Sequence, residues 1–320
     1  MFSKVTPVQL KCNISDSWTT CYQTTGEDLL SSFLPSSTVA LFLHVVQTGG
    51  PTEPFNFRKT GSSDNRIGNS AGNFHTWAVV GVDASITFQY FLGNALTQQV
   101  FLVGYMTSSS GVMFDNGSPQ TGTNWTWTEK DLSGICPNAI GIIYEIENWG
   151  GFWGIRHGDS TQDRKDAGYG RAWGVVGCSN TQRVDIYVGG GALQEYFYIL
   201  GYITKDALFN VNAEDISLGS TGSYIDIDLS SKNACLAFID IPMAAVSINY
   251  ALRAKGSSED IYRPGEGQHS FGIPDISDVG FIQGKIANLS IDFWLVGTAD
   301  KAGGGIGRGH VGRRLLRGAI

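Results

Sequence analysis

The chain has 320 residues, a formal net charge of -7, 16% charged side chains, 42 glycines and 9 prolines. A charged fraction well below the usual ~25%, with many aromatics and ordinary proline, excludes disordered and collagen-like classes and favours short strands joined by tight turns. Residues 301–320 carry five basic side chains and no acid, leaving -12 on the first 300 residues, so the body repels phosphate and specific nucleic-acid binding is not expected.

The opening Met1-Phe2-Ser3-Lys4-Val5-Thr6-Pro7 lacks the apolar centre of a secretory signal, and no run of 18 apolar residues follows. Synthesis in a reducing cytoplasm, with no membrane insertion, is therefore expected. The cysteines (Cys12, Cys21, Cys136, Cys178 and Cys235) form neither a disulfide framework nor a zinc pattern. Residues 26–33 and 129–132 read as short helical turns. Alternating or continuous apolar runs over 39–46, 85–90, 140–146, 183–188, 235–241 and 289–294 predict strands.

These strands belong to a pattern stated three times. Phe55-Asn56-Phe57-Arg58, Trp153-Gly154-Ile155-Arg156 and Tyr250-Ala251-Leu252-Arg253 place arginines 98 and 97 residues apart. Each is followed by a landmark aromatic, Trp77, Trp173 or Phe271. Each copy then closes on Phe101-Leu102-Val103-Gly104, Tyr198-Ile199-Leu200-Gly201 or Trp294-Leu295-Val296-Gly297. Three landmarks held over three copies signal a tandem repeat. The predicted fold is all-β: three related antiparallel sandwiches, jelly-roll-like, at 1–115, 116–212 and 213–300, then an extended Gly/Arg-rich tail at 301–320.

Between each arginine and its landmark aromatic lies a polar loop with an acid six or seven residues on. Arg58 with Asp64, Arg156 with Asp163 and Arg253 with Asp260 are expected to be structural braces, in which the arginine hydrogen-bonds its loop. A calcium cage needs more carboxylates than each loop supplies, so no metal and no cofactor are expected. Glu145 and Glu147 share one strand face and are expected to be exposed. The histidines form no metal-ligand spacing, although His75 and His269 hold the same place, with Arg171 between them in copy 2.

No nucleophile–base pair emerges, and an enzyme is not expected. Gly307-Arg308-Gly309-His310-Val311-Gly312 has dinucleotide-loop spacing but no preceding strand to present it. Trp149, in the glycine-rich turn Asn148-Trp149-Gly150-Gly151, is a candidate for stacking on a glycan. In the tail, Leu315, Leu316 and Ile320 among Arg308, Arg313, Arg314 and Arg317 suit a docking peptide.

With its glycine-rich tandem β-domains closing on Phe101-Leu102-Val103-Gly104-Tyr105 and Tyr198-Ile199-Leu200-Gly201-Tyr202, and its glycine-arginine tail, the chain resembles virion structural proteins of tailed bacteriophages. Copy 3 departs from the pattern, with Thr298 for the tyrosine and Pro274 in the apolar run. The resemblance implies a particle component, either capsid cement or decoration or a neck or tail appendage. Its partners would be other virion proteins and itself. The alternatives are a glycan-binding adhesin on a host surface and a hydrolase on a β-scaffold.

Overall fold

A computed structural model describes residues 1–12, 15–49, 54–69, 74–93, 98–190, 196–243, 248–265 and 269–300. The first eight strands are β1 (Phe2–Gln9), β2 (Ser15–Cys21), β3 (Thr38–Gln47), β4 (Pro54–Lys59), β5 (Gly68–Asn69), β6 (Phe74–Gly81), β7 (Phe88–Leu92) and β8 (Gln98–Thr107). They form two four-stranded sheets, ordered β1-β8-β3-β6 and β2-β7-β4-β5. That pair of orders is a jelly roll.

The last eight strands repeat it. They are β15 (Ala207–Asp215), β16 (Ile225–Asp228), β17 (Ala234–Pro242), β18 (Asn249–Ala254), β19 (Arg263–Pro264), β20 (His269–Gly272), β21 (Phe281–Ile286) and β22 (Trp294–Asp300). Their sheets run β15-β22-β17-β20 and β16-β21-β18-β19.

The middle copy has β9 (Gly111–Gln120), β10 (Thr126–Asp131), β11 (Gly141–His157), β12 (Asp166–Gly177), β13 (Arg183–Gly189) and β14 (Tyr196–Ile203). Here two strands each serve both sheets. Residues 141–147 of β11 pair with β14 and residues 152–157 with β13, while β12 follows β11 along its length. In domain 3 the equivalent strand, β17, ends at Pro242, which cannot donate to a ladder. Domain 2 has Asn148 instead. Its side chain accepts from the Gly150 and Gly151 amides (both 2.8 Å) and donates to the Gly151 carbonyl (2.9 Å), carrying the strand through a bulge. The expected turn at Trp149 is therefore a bulged strand, in which Trp149 pairs with Tyr169.

The closing motif of each copy is also a bulge. Phe42 faces Gly104 while Leu43 faces Leu102, which leaves Val103 as the extra residue. Leu200 and Val296 are extra in the same way. The glycine that follows is required by close approach to the first strand of its sheet. A Cβ would lie 3.0 Å from the Ser3 carbonyl oxygen at Gly104, 2.2 Å from that of Val112 at Gly201, and 2.8 Å from that of Leu208 at Gly297.

Several other expectations change. Residues 129–132 are not a helical turn: β10 pairs with β13 from Thr126 to Asp131. The strand expected over 289–294 begins only at Trp294, and that over 85–90 only at Phe88. The boundaries drawn at 115/116 and 212/213 fall inside β9 and β15, the first strands of the second and third sheet patterns. The only α-helix among the described residues is the single turn Leu30–Phe33.

The domains close into a ring. Strands β6, β12 and β20, equivalent in the three copies, contact one another around a common centre. The aromatic at the same β4 position of each copy reaches the next domain. Phe55 packs on Trp173 (5.6 Å between ring centroids), Trp153 stacks on His269 (4.0 Å), and Tyr250 meets His75 (4.4 Å) and Trp77 (6.3 Å). The first strands complete the circle, β9 against β3, β15 against β11 and β1 against β17. One chain thus builds a pseudo-three-fold body in which domain 3 returns to domain 1.

Candidate functional site

The arginine of each repeat sits on its sheet and ties down one loop. Arg58 donates from Nε to Gln89 (2.9 Å) and from Nη1 to the Asp64 carbonyl, with its guanidinium 4.1 Å from the Trp18 ring centroid. Arg156 donates to Asp185 (3.0 Å) and the Gln162 carbonyl (2.6 Å) beneath Trp127 (4.2 Å). Arg253 donates to Gln283 (3.0 Å) and the Glu259 carbonyl beneath Tyr224 (3.5 Å). A planar guanidinium provides both the forked donors and the face that stacks.

The acids are not in the register that spacing suggested. The aromatic caps bind Asn65 (Trp18 Nε1, 2.8 Å), Asp163 (Trp127 Nε1, 2.7 Å) and Asp260 (Tyr224 hydroxyl, 2.9 Å). Asp64 is thus the equivalent of Gln162 and Glu259, one residue earlier, where the brace needs only a backbone carbonyl. This frees its carboxylate, which accepts from the Gly117 amide (2.7 Å) and pairs with Arg66 (2.6 Å). The indole N–H of Trp127, then Lys165, hold the Asp163 carboxyl below its usual range.

The braced loops are docking points for the next domain. Asn116, in a bulge of β9, accepts from the Ser62 hydroxyl (2.8 Å) and the Ser63 amide (2.9 Å). Asn212, in the equivalent bulge of β15, accepts from the Ser160 hydroxyl (2.9 Å) and the Thr161 amide (3.2 Å). Gln162 then exchanges two hydrogen bonds with the Ala213 backbone (2.7 and 2.9 Å). The bulge of β1 lies between Lys4 and Val8, is one residue shorter, and contains Val5-Thr6-Pro7 with no asparagine.

Deeper in, at the ring centre, three positions are equivalent by register: His44 on β3, Glu145 on β11 and Asp240 on β17. Glu145 is fully buried, which overturns the expectation that it is exposed. Arg66 of domain 1 reaches it through Nε (3.0 Å) and Nη2 (2.8 Å), Arg171 pairs with its other oxygen, and Asn56 lies 3.3 Å away. Arg171 also approaches Glu147 (3.1 Å). Gly68 makes room for this guanidinium, since a Cβ there would meet Arg171 Nε at 2.6 Å.

At the second seam, Arg164 of domain 2 donates to Asp240 (2.6 Å). His269 holds the other Asp240 oxygen through Nε2 (2.6 Å), and its Nδ1 faces the Trp153 carbonyl (3.0 Å). Both ring nitrogens of His269 thus lie within hydrogen-bond distance of an oxygen. Burial opposes charge on Asp240, but His269 and Arg164 outweigh it and hold the carboxyl below its ordinary range.

The third seam has no carboxylate at this position. His44 Nε2 and His75 Nδ1 share one hydrogen bond (3.0 Å), and His44 stacks flat on Trp77 (4.3 Å). Burial pushes the His44 imidazole down to about 3. Burial, then His44 and Arg263, push His75 well below its usual range. This seam is held instead by Phe2 against Phe238 (6.4 Å) and by Lys4, which donates to the Ile276 carbonyl (2.6 Å) and pairs with Asp278 (3.0 Å). Two seams carry a buried carboxylate at this position, and the third carries the paired imidazoles of His44 and His75.

Sequence reasoning named the braces but missed Arg66, Glu145, Arg164 and Asp240 as partners. The one visible trace was the shared place of His75, Arg171 and His269. Among the described residues, no group of three or more His, Cys, Asp or Glu side chains could hold a metal ion. No helix among them is long and apolar enough to cross a membrane. The side chain of Trp149 and the tail residues Arg308, Arg313, Arg314, Leu315, Leu316, Arg317 and Ile320 lie outside the described residues.

No family model and no curated protein matches the chain. Among solved structures, a chain from the atomic structure of Sulfolobus Turreted Icosahedral Virus aligns over 94% of this chain and 92% of its own length, at 11% identity and a TM-score of 0.23. A chain from the lipid-containing bacteriophage PM2 aligns over 93% and 95%, at 8% identity and a TM-score of 0.16. Likeness this slight has no bearing on function.

Proposed function

We propose that the chain is a non-enzymatic structural component of a virus particle, a single-chain pseudo-trimer that binds neighbouring virion subunits. The closed ring carries this reading. The repeated aromatics Phe55, Trp153 and Tyr250, and most of the deeply buried charges, join domain to domain, as in a building block that must present three similar faces at fixed angles. Tandem copies in one chain give each domain its neighbours at high effective concentration. In this reading the ring occupies a site of local three-fold character, as capsid cement or decoration or as a neck or tail appendage, and residues 301–320 dock it. Deletion of 301–320 should leave a folded ring that no longer enters particles; normal incorporation would refute the docking role.

A second reading, glycan binding by domain 2, has one specific observation behind it. Trp125 and Phe152 are both exposed, with ring centroids 5.9 Å apart, and Trp125 holds this pose at φ +61°, a costly backbone conformation for a tryptophan. Loss of glycan-array binding in a folded Trp125→Ala protein would favour it. A wild-type protein that binds no glycan would remove it.

A further inference from the structure

The five cysteines show no common spacing along the chain, but Cys12 and Cys21 meet in space. Beyond β1, Leu10 bridges Thr24 and the Lys11 amide donates to the Gln23 carbonyl (3.0 Å), so residues 10–12 run antiparallel to the segment leaving β2. This places Cys12 Sγ 3.4 Å from Cys21 Sγ. Cys21 is buried at 1% exposure, and Cys12 is half-buried and so within reach of a small reagent from solvent. Burial raises the Cys12 thiol well above its ordinary range, and its Cys21 neighbour raises it further.

We propose that Cys12 and Cys21 are a modification site, a dithiol that closes to a disulfide when the protein meets a small-molecule disulfide such as oxidised glutathione. Deprotonated Cys12 attacks one sulfur of the reagent, forming a mixed disulfide and releasing one glutathione thiolate. Cys21, once deprotonated, attacks the Cys12 sulfur and expels the second. The two cysteine sulfurs are oxidised by two electrons, the reagent is reduced to two thiols, and the two cysteine protons pass to the released thiolates or to solvent. The sulfurs need to approach from 3.4 Å to about 2.05 Å, within the reach of side-chain rotation. The bond would tie the exit of β1 to the end of β2 at the edge of domain 1. Cys136, Cys178 and Cys235 serve as internal controls for access, all three being buried.

The test is to incubate the folded full-length protein with oxidised glutathione at mildly alkaline pH, quench with acid, alkylate the remaining thiols and map the peptides. The expected product is one Cys12–Cys21 link with Cys136, Cys178 and Cys235 alkylated. In Cys21→Ser the reaction should stop at glutathione on Cys12. Either result would overturn the proposal: a native wild-type protein that keeps both thiols while its denatured form oxidises, or Cys12 linked to any other cysteine. The wild-type map alone decides the matter if the variant does not fold.

Discussion

Replacing Glu145 by glutamine tests the buried ladder with almost no change of shape. The carboxylate receives two hydrogen bonds from Arg66, one from Arg171 and one from Asn56, at zero solvent exposure. The amide retains one acceptor oxygen, points two N–H donors towards guanidinium groups, and leaves both arginines deprived of their common counter-charge. Removing one partner of a buried ion pair costs about 3–5 kcal/mol, whereas a substitution on an exposed strand face stays within ~0.5 kcal/mol. Denaturant unfolding of wild type and Glu145→Gln, followed by Trp fluorescence and circular dichroism, separates the two. A loss of several kcal/mol in the transition that breaks the domain 1–domain 2 seam is expected. A variant within ~0.5 kcal/mol of wild type would refute the ladder as a structural lock. Replacing Arg66, Glu145 and Arg171 together by methionine should recover much of the loss, because the desolvation of all three charges disappears.

Acid should weaken the third seam first. His44 and His75 are held below the usual histidine value, so their neutral forms favour the closed ring fully above pH 6.5, and that stability drains away as pH falls from 6.5 towards 3. Asp240 is also held low, but its contribution is complete above the ordinary 3.8 and fades only below it. Thermal melts between pH 7.5 and 4 should therefore fall steeply for wild type and less for His44→Phe; identical slopes would contradict this. Gly201→Ala, whose Cβ would lie 2.2 Å from the Val112 carbonyl oxygen, should cost about 1–3 kcal/mol or more, while Gly134→Ala, with open space around it, should be neutral by the same melts. Arg253→Ala should release its loop at about 1 kcal/mol per lost hydrogen bond, seen as faster proteolysis between residues 255 and 262; unchanged cleavage would count against the brace.

What could be read from sequence was whatever repeats as residue type. The arginines, the landmark aromatics and the glycine of the closing bulge recur because each copy needs the same hydrogen-bond fork, core plug or close approach. The first strands did not announce themselves: Phe2, Gly111 and Ala207 occupy equivalent places yet share no side-chain type, since only backbone pairing defines them. The drawn boundaries fell inside β9 and β15 for that reason. Glu145 shows a different limit. Alternation reveals that a strand has a polar face, but not whether water or another domain covers it. In domain 2 the cover is Arg66, 79 residues away along the chain. The register of Asp64 was obscured because a brace that uses a carbonyl leaves the side chain unconstrained.

The central claim, that one chain closes its own three-fold ring, is tested most directly by zero-length carbodiimide crosslinking of Lys4 to Asp278. Their charged groups lie 3.0 Å apart across the domain 3–domain 1 seam, and Asp278 is open to reagent. The account predicts this crosslink in protein that migrates at the 34.5 kDa monomer mass, alongside Lys59–Asp115 at the first seam. Finding Lys59–Asp115 in the monomer but Lys4–Asp278 only in dimers or larger species would show that the ring does not close within one chain.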